Sequence, residues 1–229
     1  MQKRSFIFSL IVITVVLVIG LVVVRRDAIF ATQANASSNP TIVSTKNATA
    51  GEQTNYLRDD SAEVSATLPF FHRLDANYTR GAEPAHGGIE TIKRLGIKTI
   101  VDLRSIYDHT DELGIAAERS GLQYRWLPTS VWNPPTDKEA KAFVALVSDK
   151  TQGPFYVFCA DGVNRSGEMS AIYRIAESKW SVAQALKEAD DFGFNPYYYN
   201  LRTYVYTFAR KFHPKALPLQ ARSLSSLEM

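Results

Sequence analysis

Apolar residues fill positions 6 to 24 with few interruptions, which are two hydroxyl side chains and one glycine. Two basic residues stand on each side of this run: Lys3, Arg4, Arg25 and Arg26. As a helix the run would be about 28 Å long, enough to cross the hydrocarbon core of a bilayer. The pattern predicts an uncleaved membrane anchor over residues 1–26. A signal peptide cleaved after Ala34-Asn35-Ala36 is the alternative, but its apolar region would be shorter than this one.

Residues 27–66 are rich in Ala, Thr, Ser and Asn and show little periodic apolar content. Such a composition predicts a flexible polar linker. Because basic pairs flank the anchor on both sides, the positive-inside rule leaves its orientation open. We expect a single-pass protein of the cell membrane, with a preference for an extracytoplasmic domain.

Short apolar runs then alternate with helical periodicity over residues 67–213, and residues 214–229 read as a loose tail. A first strand is expected to end at Arg80-Gly81, and further strands are expected over 99–103, 124–127 and 155–158. Helices are expected over 89–95, 115–120, 136–147 and 167–179, from Ser181 onward, and over 197–212. Thr136 with Glu139 forms a predicted capping box. Alternating strands and helices predict an α/β domain whose central, mostly parallel sheet is flanked by helices.

Composition narrows the function classes. A net charge of +3 is too small to indicate nucleic-acid binding. The single cysteine excludes an internal disulfide and any zinc site built from several cysteines. No clustered His, Cys and carboxylate set suggests a metal, and no cofactor is expected.

The chemistry is concentrated in residues 155–167, FYVFCADGVNRSG. An apolar run predicts a buried strand, a glycine-bearing loop follows, and helical periodicity begins near Ser166. A strand, a tight loop and a helix N-terminus bring unpaired backbone N–H groups and the helix dipole to one point, which favours an anion. In this loop Cys159 precedes Arg165 by six positions. Cys159 could otherwise be a small buried hydrophobe, Arg165 a surface ion pair and Ser166 a plain helix-start hydroxyl.

The spacing suits phosphate. Five intervening residues allow the loop to curl around a tetrahedral anion, and Gly162 permits a turn that a Cβ would obstruct. Arg165 can hold two oxygens in a planar fork. A positive environment favours the thiolate form of a cysteine, which makes Cys159 a candidate nucleophile. The predicted phosphate-binding loop comprises Ala160, Asp161, Gly162, Val163, Asn164 and Arg165.

Cys-x5-Arg-Ser after a strand resembles the signature loop of the cysteine-dependent protein tyrosine phosphatases. Residues 77–84, NYTRGAEP, and 88–104, GIETIKRLGIKTIVDLR, are similar to the opening of the bacterial dual-specificity-like branch. The resemblance covers roughly residues 68–212. It implies a nucleophilic Cys159, a phosphocysteine intermediate, phosphate binding by Arg165, and help from Ser166 in expelling the thiolate.

Two positions depart from that family. The residue before the nucleophile is usually a histidine that orients the loop and tunes the thiolate, whereas Phe158 stands here. The loop also lacks the lysines that relatives use for inositol phospholipids. The expected substrate is therefore a phosphorylated protein or a small phosphoester of modest charge.

Phosphoester cleavage also benefits from a general acid. In the resembled families the acid is an aspartate on the loop that follows the strand preceding the nucleophile strand. Here that loop covers residues 128–137, where Asp137 is the sole carboxylate, although it falls in the first turn of the next helix. Asp161 within the loop competes with it. Asp108 and Asp111 could approach from the mouth of the site, and Asp102 fits a structural role on its strand.

The leading prediction is a membrane-tethered phosphatase of the tyrosine or dual-specificity-like type. A catalytically weak phosphate-binding module that recruits a phosphorylated partner to the membrane is the alternative, favoured by Phe158 and the uncertain acid. A sulfur transferase of the rhodanese type also uses a loop cysteine, but its loop is usually tighter than this one.

Overall fold

The computed structural model describes residues 62–219. A five-stranded sheet in the order β1-β2-β5-β3-β4 forms the centre of this part of the chain. Its strands are β1 His72–Arg73, β2 Tyr78–Gly81, β3 Thr99–Asp102, β4 Gln123–Trp126 and β5 Phe155–Phe158. The helices are α1 Ala62–Thr67, α2 Gly88–Arg94, α3 Asp111–Arg119, α4 Asp137–Ser148, α5 Asn164–Ala176, α6 Val182–Asp191, α7 Tyr199–Phe212 and a short 3-10 turn, Pro214–Ala216.

Strand β5 lies in the middle of the sheet, parallel to β2 on one side and to β3 on the other. All four of its residues are buried, as expected for a strand covered on both faces. Phe155 and Val157 pack with Cys159 in one core, and Tyr156 and Phe158 point into the other. The sheet therefore separates two cores, and the nucleophile candidate follows its central strand.

The α/β class and the largely parallel sheet agree with the sequence prediction, and the antiparallel β1 adds an edge strand that the prediction lacked. The capping box of Thr136 and Glu139 is present at the start of α4. Helix α3 begins at Asp111, earlier than expected. Helix α5 begins at Asn164 and ends at Ala176, three residues earlier at both ends than predicted, because the phosphate loop itself turns into the helix.

Helix α1 lies inside the stretch expected as linker, and its Val64 is buried. In the expected tail, Ala216 and Leu217 are buried as well. The predicted anchor, residues 1–26, and most of the predicted linker lie outside the described residues. Between residues 62 and 219, no helix combines the length and apolar character needed to cross a membrane.

Candidate active site

The predicted phosphate loop connects the carboxyl end of β5 to α5. Cys159 is 1% exposed at the end of the strand. Helix α5 begins at Asn164, and its N-cap residue, Val163, makes no side-chain cap hydrogen bond. The first backbone N–H groups of a helix have no intrahelical acceptors, so those of α5 are available to an anion at the loop.

Gly162 gives the loop its shape. Its φ is +69°, in the left-handed region that glycine adopts without strain. A Cβ at this position would lie 2.6 Å from the carbonyl carbon of Gly81 and nearer still to the backbone nitrogen of Ala82. Glu83 N also donates to Ala160 O at 3.3 Å. The loop therefore rests directly on the backbone at the end of β2.

Arg165 is 8% exposed, and its Nη2 lies 2.8 Å from Asp108 Oδ2. Asp108 follows β3, and its Oδ1 accepts from Ser105 Oγ at 2.6 Å. Partial burial acts to raise the pKa of Asp108, but hydrogen bonds from Arg165 and Ser105 outweigh it and hold that pKa below the ordinary value. The arginine expected to bind phosphate is thus paired with a carboxylate from a neighbouring strand end.

Ser166 is completely buried in the first turn of α5. Its Oγ lies 3.6 Å from Cys159 Sγ, within hydrogen-bond range for sulfur. The structure therefore places the hydroxyl beside the sulfur, where the sequence analysis required it.

Arg80 is a site residue to which the sequence analysis gave no role. It is fully buried on β2, and its Nη2 donates to Gly162 O at 2.8 Å, to Val163 O at 3.0 Å and to Ser166 Oγ at 3.2 Å. The sequence placed it only at the end of a predicted strand, and the burial of all four residues of β2 is visible in the structure alone.

A cleft of about 690 Å³ opens in front of the loop. Asp161, Asn164 and Arg165 line it on the loop side. Residues 128–136, which connect β4 to α4, line the other side, and Asn200 Nδ2 anchors this connection by donating to Val131 O at 2.8 Å. The exposed aromatic rings of Tyr107 and Trp132 also border the cleft.

The acid candidates occupy different surroundings. Asp161 is exposed and lines the cleft. Asp137 stands in the first turn of α4, where its carboxylate accepts from Lys211 Nζ at 2.7 Å and from Tyr204 OH at 3.1 Å, both on α7. The hydrogen bond from Lys211 lowers the pKa of Asp137 below its ordinary value. Asp137 is therefore held by α7, whereas Asp108 contacts Arg165.

Asp102 has the structural role that the sequence suggested. It is fully buried on β3, and its carboxylate accepts from Arg104 Nη2 at 2.7 Å and from the Tyr124 hydroxyl.

Phe158 points to the sheet face opposite Cys159. It stacks on Tyr156 at 5.9 Å between ring centroids, and the Arg104 guanidinium lies 5.3 Å from its ring centroid. The position that carries histidine in the resembled family is thus packed in the second core, away from the sulfur. Among residues 62–219 no group of three or more His, Cys, Asp and Glu side chains has the geometry of a metal site.

A family described as "DSP-PTPase phosphatase fused to NAD+ Kinase" matches residues 62–197, more than half of the chain. Among curated proteins, the chain is 28% identical over 123 residues to the dual specificity protein phosphatase TpbA of Pseudomonas aeruginosa, which is 54% of each protein. It is 29% identical over 101 residues to the probable chloroplastic NAD kinase 2 of Oryza sativa subsp. japonica, 42% of this chain and 10% of that protein. The chain thus spans about half of TpbA and a tenth of the rice protein.

Solved structures agree on the fold. The crystal structure of P. aeruginosa TpbA matches with a TM-score of 0.53 at 24% identity, over 60% of this chain and 84% of that one. A putative phosphatase from Shewanella putrefaciens CN-32 matches with a TM-score of 0.55 at 16% identity, over 67% and 98% of the two chains. These likenesses show the same α/β sheet flanked by helices.

Proposed function

The chain belongs to the DSP-PTPase family, the dual-specificity-like branch of the cysteine-dependent protein tyrosine phosphatases, and we propose that it hydrolyses phosphate monoesters through a phosphocysteine intermediate. The observation that carries the proposal is the loop between β5 and α5. It places Cys159 beside a hydroxyl, Arg165 at the cleft and a free helix N-terminus in one short turn.

In the proposed first step the Cys159 thiolate attacks phosphorus in line. The S–P bond forms, the bond from phosphorus to the leaving oxygen breaks, and a carboxylic acid protonates that oxygen. Arg165 and the N-terminal amides of α5 stabilise the charge on the equatorial oxygens. Arg165 Nη2 lies 2.8 Å from Asp108 Oδ2, so phosphate either displaces this carboxylate or binds through the other N–H groups of the guanidinium.

In the second step water attacks the phosphocysteine. The new O–P bond forms as the S–P bond breaks, and the same carboxylate, now deprotonated, takes the proton from water. Ser166 stands 3.6 Å from the sulfur and would donate a hydrogen bond to the departing thiolate, which makes that sulfur a better leaving group.

We assign the acid to Asp161. It is exposed and lines the cleft, so a bound ester would lie within reach of a short movement of its side chain. Asp137 remains a candidate, but its carboxylate is engaged by Tyr204 and Lys211. Asp108 is the third candidate, because a phosphate that displaces it from Arg165 would leave it at the edge of the site.

The proposed substrate is a phosphorylated protein or a small phosphoester. The cleft volume, about 690 Å³, accommodates an aryl phosphate, and Tyr107 and Trp132 offer apolar surface for its ring. A TpbA variant was crystallised with phosphotyrosine, which supports phosphotyrosine as one substrate. Among residues 62–219, Arg165 is the one cationic residue that lines the cleft, so a polyphosphorylated substrate would find little further compensation from that part of the chain.

A phosphate-binding module without turnover is the second candidate function. The observation that favours it is Phe158, which takes the position of the family histidine and is packed away from Cys159. Such a module would retain phosphopeptide on Arg165 and recruit the phosphorylated partner to the membrane.

Residues 1–26 are proposed to tether the domain to the cell membrane as a single span, on the strength of the predominantly apolar run between residues 6 and 24. The test is extraction of membranes with alkaline carbonate. The full chain should remain with the lipid, and a chain lacking residues 1–26 should be released. A reporter fused after Met229 would then show on which side of the membrane the domain lies.

The deciding experiment is hydrolysis of p-nitrophenyl phosphate by the full chain in detergent micelles from pH 5 to 8, beside Cys159→Ser. Turnover by the parent and none by the variant would support the phosphatase. If neither turns over while both bind inorganic phosphate with intact folding, the enzyme proposal fails and the binding module takes its place.

A further inference from the structure

The arginine behind the phosphate loop, Arg80, differs from the other buried arginines of the domain. Arg80, Arg104 and Arg174 are among the largest fully buried side chains between residues 62 and 219. Arg104 pairs with Asp102 at 2.7 Å, and Arg174 pairs with Glu188 at 2.8 Å. Arg80 has no carboxylate within ion-pair distance in the described part of the chain, and its Nε and Nη1 have no hydrogen-bond partner there. A buried charge without a counter-ion is costly, so its retention needs a reason.

Arg80 directs all of its hydrogen bonds at the loop. Its Nη2 donates to the carbonyl oxygens of Gly162 and Val163. In a planar trans peptide the N–H points opposite to the C=O. Holding these two carbonyls toward β2 therefore turns the amides of Val163 and Asn164 away from it, toward the side on which an anion at the loop would bind.

The third hydrogen bond orients a hydroxyl. Ser166 Oγ accepts from Arg80 Nη2 at 3.2 Å and lies 3.6 Å from Cys159 Sγ. A serine hydroxyl has one proton to donate. The Cys159 thiol can donate to this oxygen, but a thiolate can only accept, so once Cys159 is ionised the Ser166 hydroxyl is the group that donates to the sulfur. Arg80 thus acts on Cys159 through Ser166 as well as by its charge.

Among the described residues, Arg80 is the cation near Cys159 that has no carboxylate partner. Arg165 also interacts electrostatically with Cys159, but its charge is compensated by Asp108. Tyr156 acts on Cys159 as well, and burial raises the pKa of its hydroxyl far above the ordinary value, so it stays neutral at physiological pH. Near Arg80 itself, burial likewise raises the pKa of Tyr78, and Glu188 is already held by Arg174.

We propose that Arg80 is the positioning residue of the phosphate loop: it fixes the peptide units on either side of Val163, aims the Ser166 hydroxyl at Cys159, and supplies from β2 the positive charge that favours the thiolate. This inference rests on the proposed function of the loop. The missing counter-ion of Arg80 is then the thiolate itself.

The test uses the fact that Cys159 is the one cysteine of the chain. The rate of alkylation by iodoacetamide, followed by mass spectrometry from pH 4 to 10, reports the thiolate of Cys159 alone. In the full chain in detergent, Arg80→Met should move the midpoint of this profile upward by about one pH unit or more, the scale of one nearby charge. Arg80→Lys, which keeps the charge on a side chain one bond shorter, should move it much less. Arg125→Met, an exposed arginine on β4, is the matched control and should not move it.

Binding of inorganic phosphate distinguishes the effect of the Arg80 hydrogen bonds from the effect of its charge. The lysine side chain is one bond shorter than that of arginine, so its ammonium should not reach Gly162 O, Val163 O and Ser166 Oγ as Nη2 does. Arg80→Lys should therefore bind phosphate roughly 10-fold more weakly than the parent, as for a lost charge-assisted hydrogen bond. Turnover should fall in kcat more than it rises in KM. If Arg80→Met is folded and its rate of alkylation depends on pH as that of the parent does, the inference is overturned. If Arg80→Met does not fold, Arg80→Lys decides: unchanged phosphate affinity would overturn it. Absence of turnover in the parent would contradict the proposed enzymatic function. The alkylation profile would still test the effect of Arg80 on Cys159.

Discussion

Asp108 Oδ2 lies 2.8 Å from Arg165 Nη2, so the arginine proposed to bind phosphate already holds an anion contributed by the chain. The pair is more buried than an ordinary surface salt bridge: the Arg165 side chain is 9% exposed and that of Asp108 is 32% exposed. A phosphate that binds Arg165 at Nη2 would compete with this carboxylate. The competition sets the affinity of the site for substrate and product alike.

Asp108→Asn should therefore strengthen the binding of inorganic phosphate. Removal of one like charge next to the bound dianion favours phosphate by about 1 kcal/mol, or roughly a 5-fold lower dissociation constant. Isothermal titration of the full chain with phosphate at pH 7 measures it. Asp111→Asn is the matched control, since Asp111 lies on the same segment with its side chain 88% exposed. Equal or weaker binding in Asp108→Asn would show that the carboxylate does not compete.

Asp161→Asn should lower kcat by about 10²-fold or more for phenyl phosphate, whose leaving group needs a proton, and by less for p-nitrophenyl phosphate. The reason is that a good leaving group departs without general acid catalysis. The basic limb of the pH–rate profile should flatten in the same variant. Asp137→Asn serves as the comparison, because its carboxylate is held by Lys211 on α7. If Asp137→Asn shows the leaving-group dependence and Asp161→Asn does not, the assignment is reversed.

The local pattern of apolar and polar residues was sufficient to predict the class of fold and the nucleophile loop. The strand over Phe155–Phe158, the loop from Cys159 and the capping box at Thr136 are contiguous signals, and the structure has all three. The start of α5 was placed too late because Asn164 and Arg165 belong to both the motif and the helix.

Contacts between segments that are far apart in the chain could not be predicted from the sequence. Arg80 meets Gly162 across 82 residues, and Asp108 meets Arg165 from the end of another strand. Neither pairing has a periodicity or spacing that a single sequence carries, because the order of β2, β5 and β3 in the sheet creates both. The same holds for Asp137, whose partners Tyr204 and Lys211 lie on the last long helix.

Gly162→Ala should destabilise the domain more than Gly96→Ala. Both glycines have positive φ, +69° and +74°, which costs an alanine roughly 1–2 kcal/mol. At Gly96 a Cβ would meet nothing within 4 Å, whereas at Gly162 it would collide with the backbone of Gly81 and Ala82. We expect an additional 1–3 kcal/mol, on the order of an overpacked site, together with loss of phosphate binding. Urea unfolding of both variants measures the difference, and equal losses would mean that the loop moves off β2 without cost.

Glu168 provides a prediction about stability that is independent of the chemistry. It is completely buried on α5, and neither of its carboxylate oxygens has a hydrogen-bond partner in the described structure. Burial raises the pKa of this side chain well above its ordinary value of 4.5. The folded protein therefore keeps this carboxyl protonated at a pH where the unfolded chain has released the proton.

The sign of the pH dependence follows from that difference. Below about pH 4.5 the carboxyl is neutral in both states and costs nothing further. As pH rises above 4.5, unfolding releases a proton, and the free energy of unfolding falls by about 1.4 kcal/mol per pH unit until pH passes the folded pKa. Glu168→Gln removes this titration, so its advantage over the parent in urea unfolding should grow between pH 5 and pH 7. Glu118→Gln, at an exposed position on α3, should run parallel to the parent. A parallel course for Glu168→Gln as well would mean that water or a neighbouring donor already stabilises the ionised carboxylate.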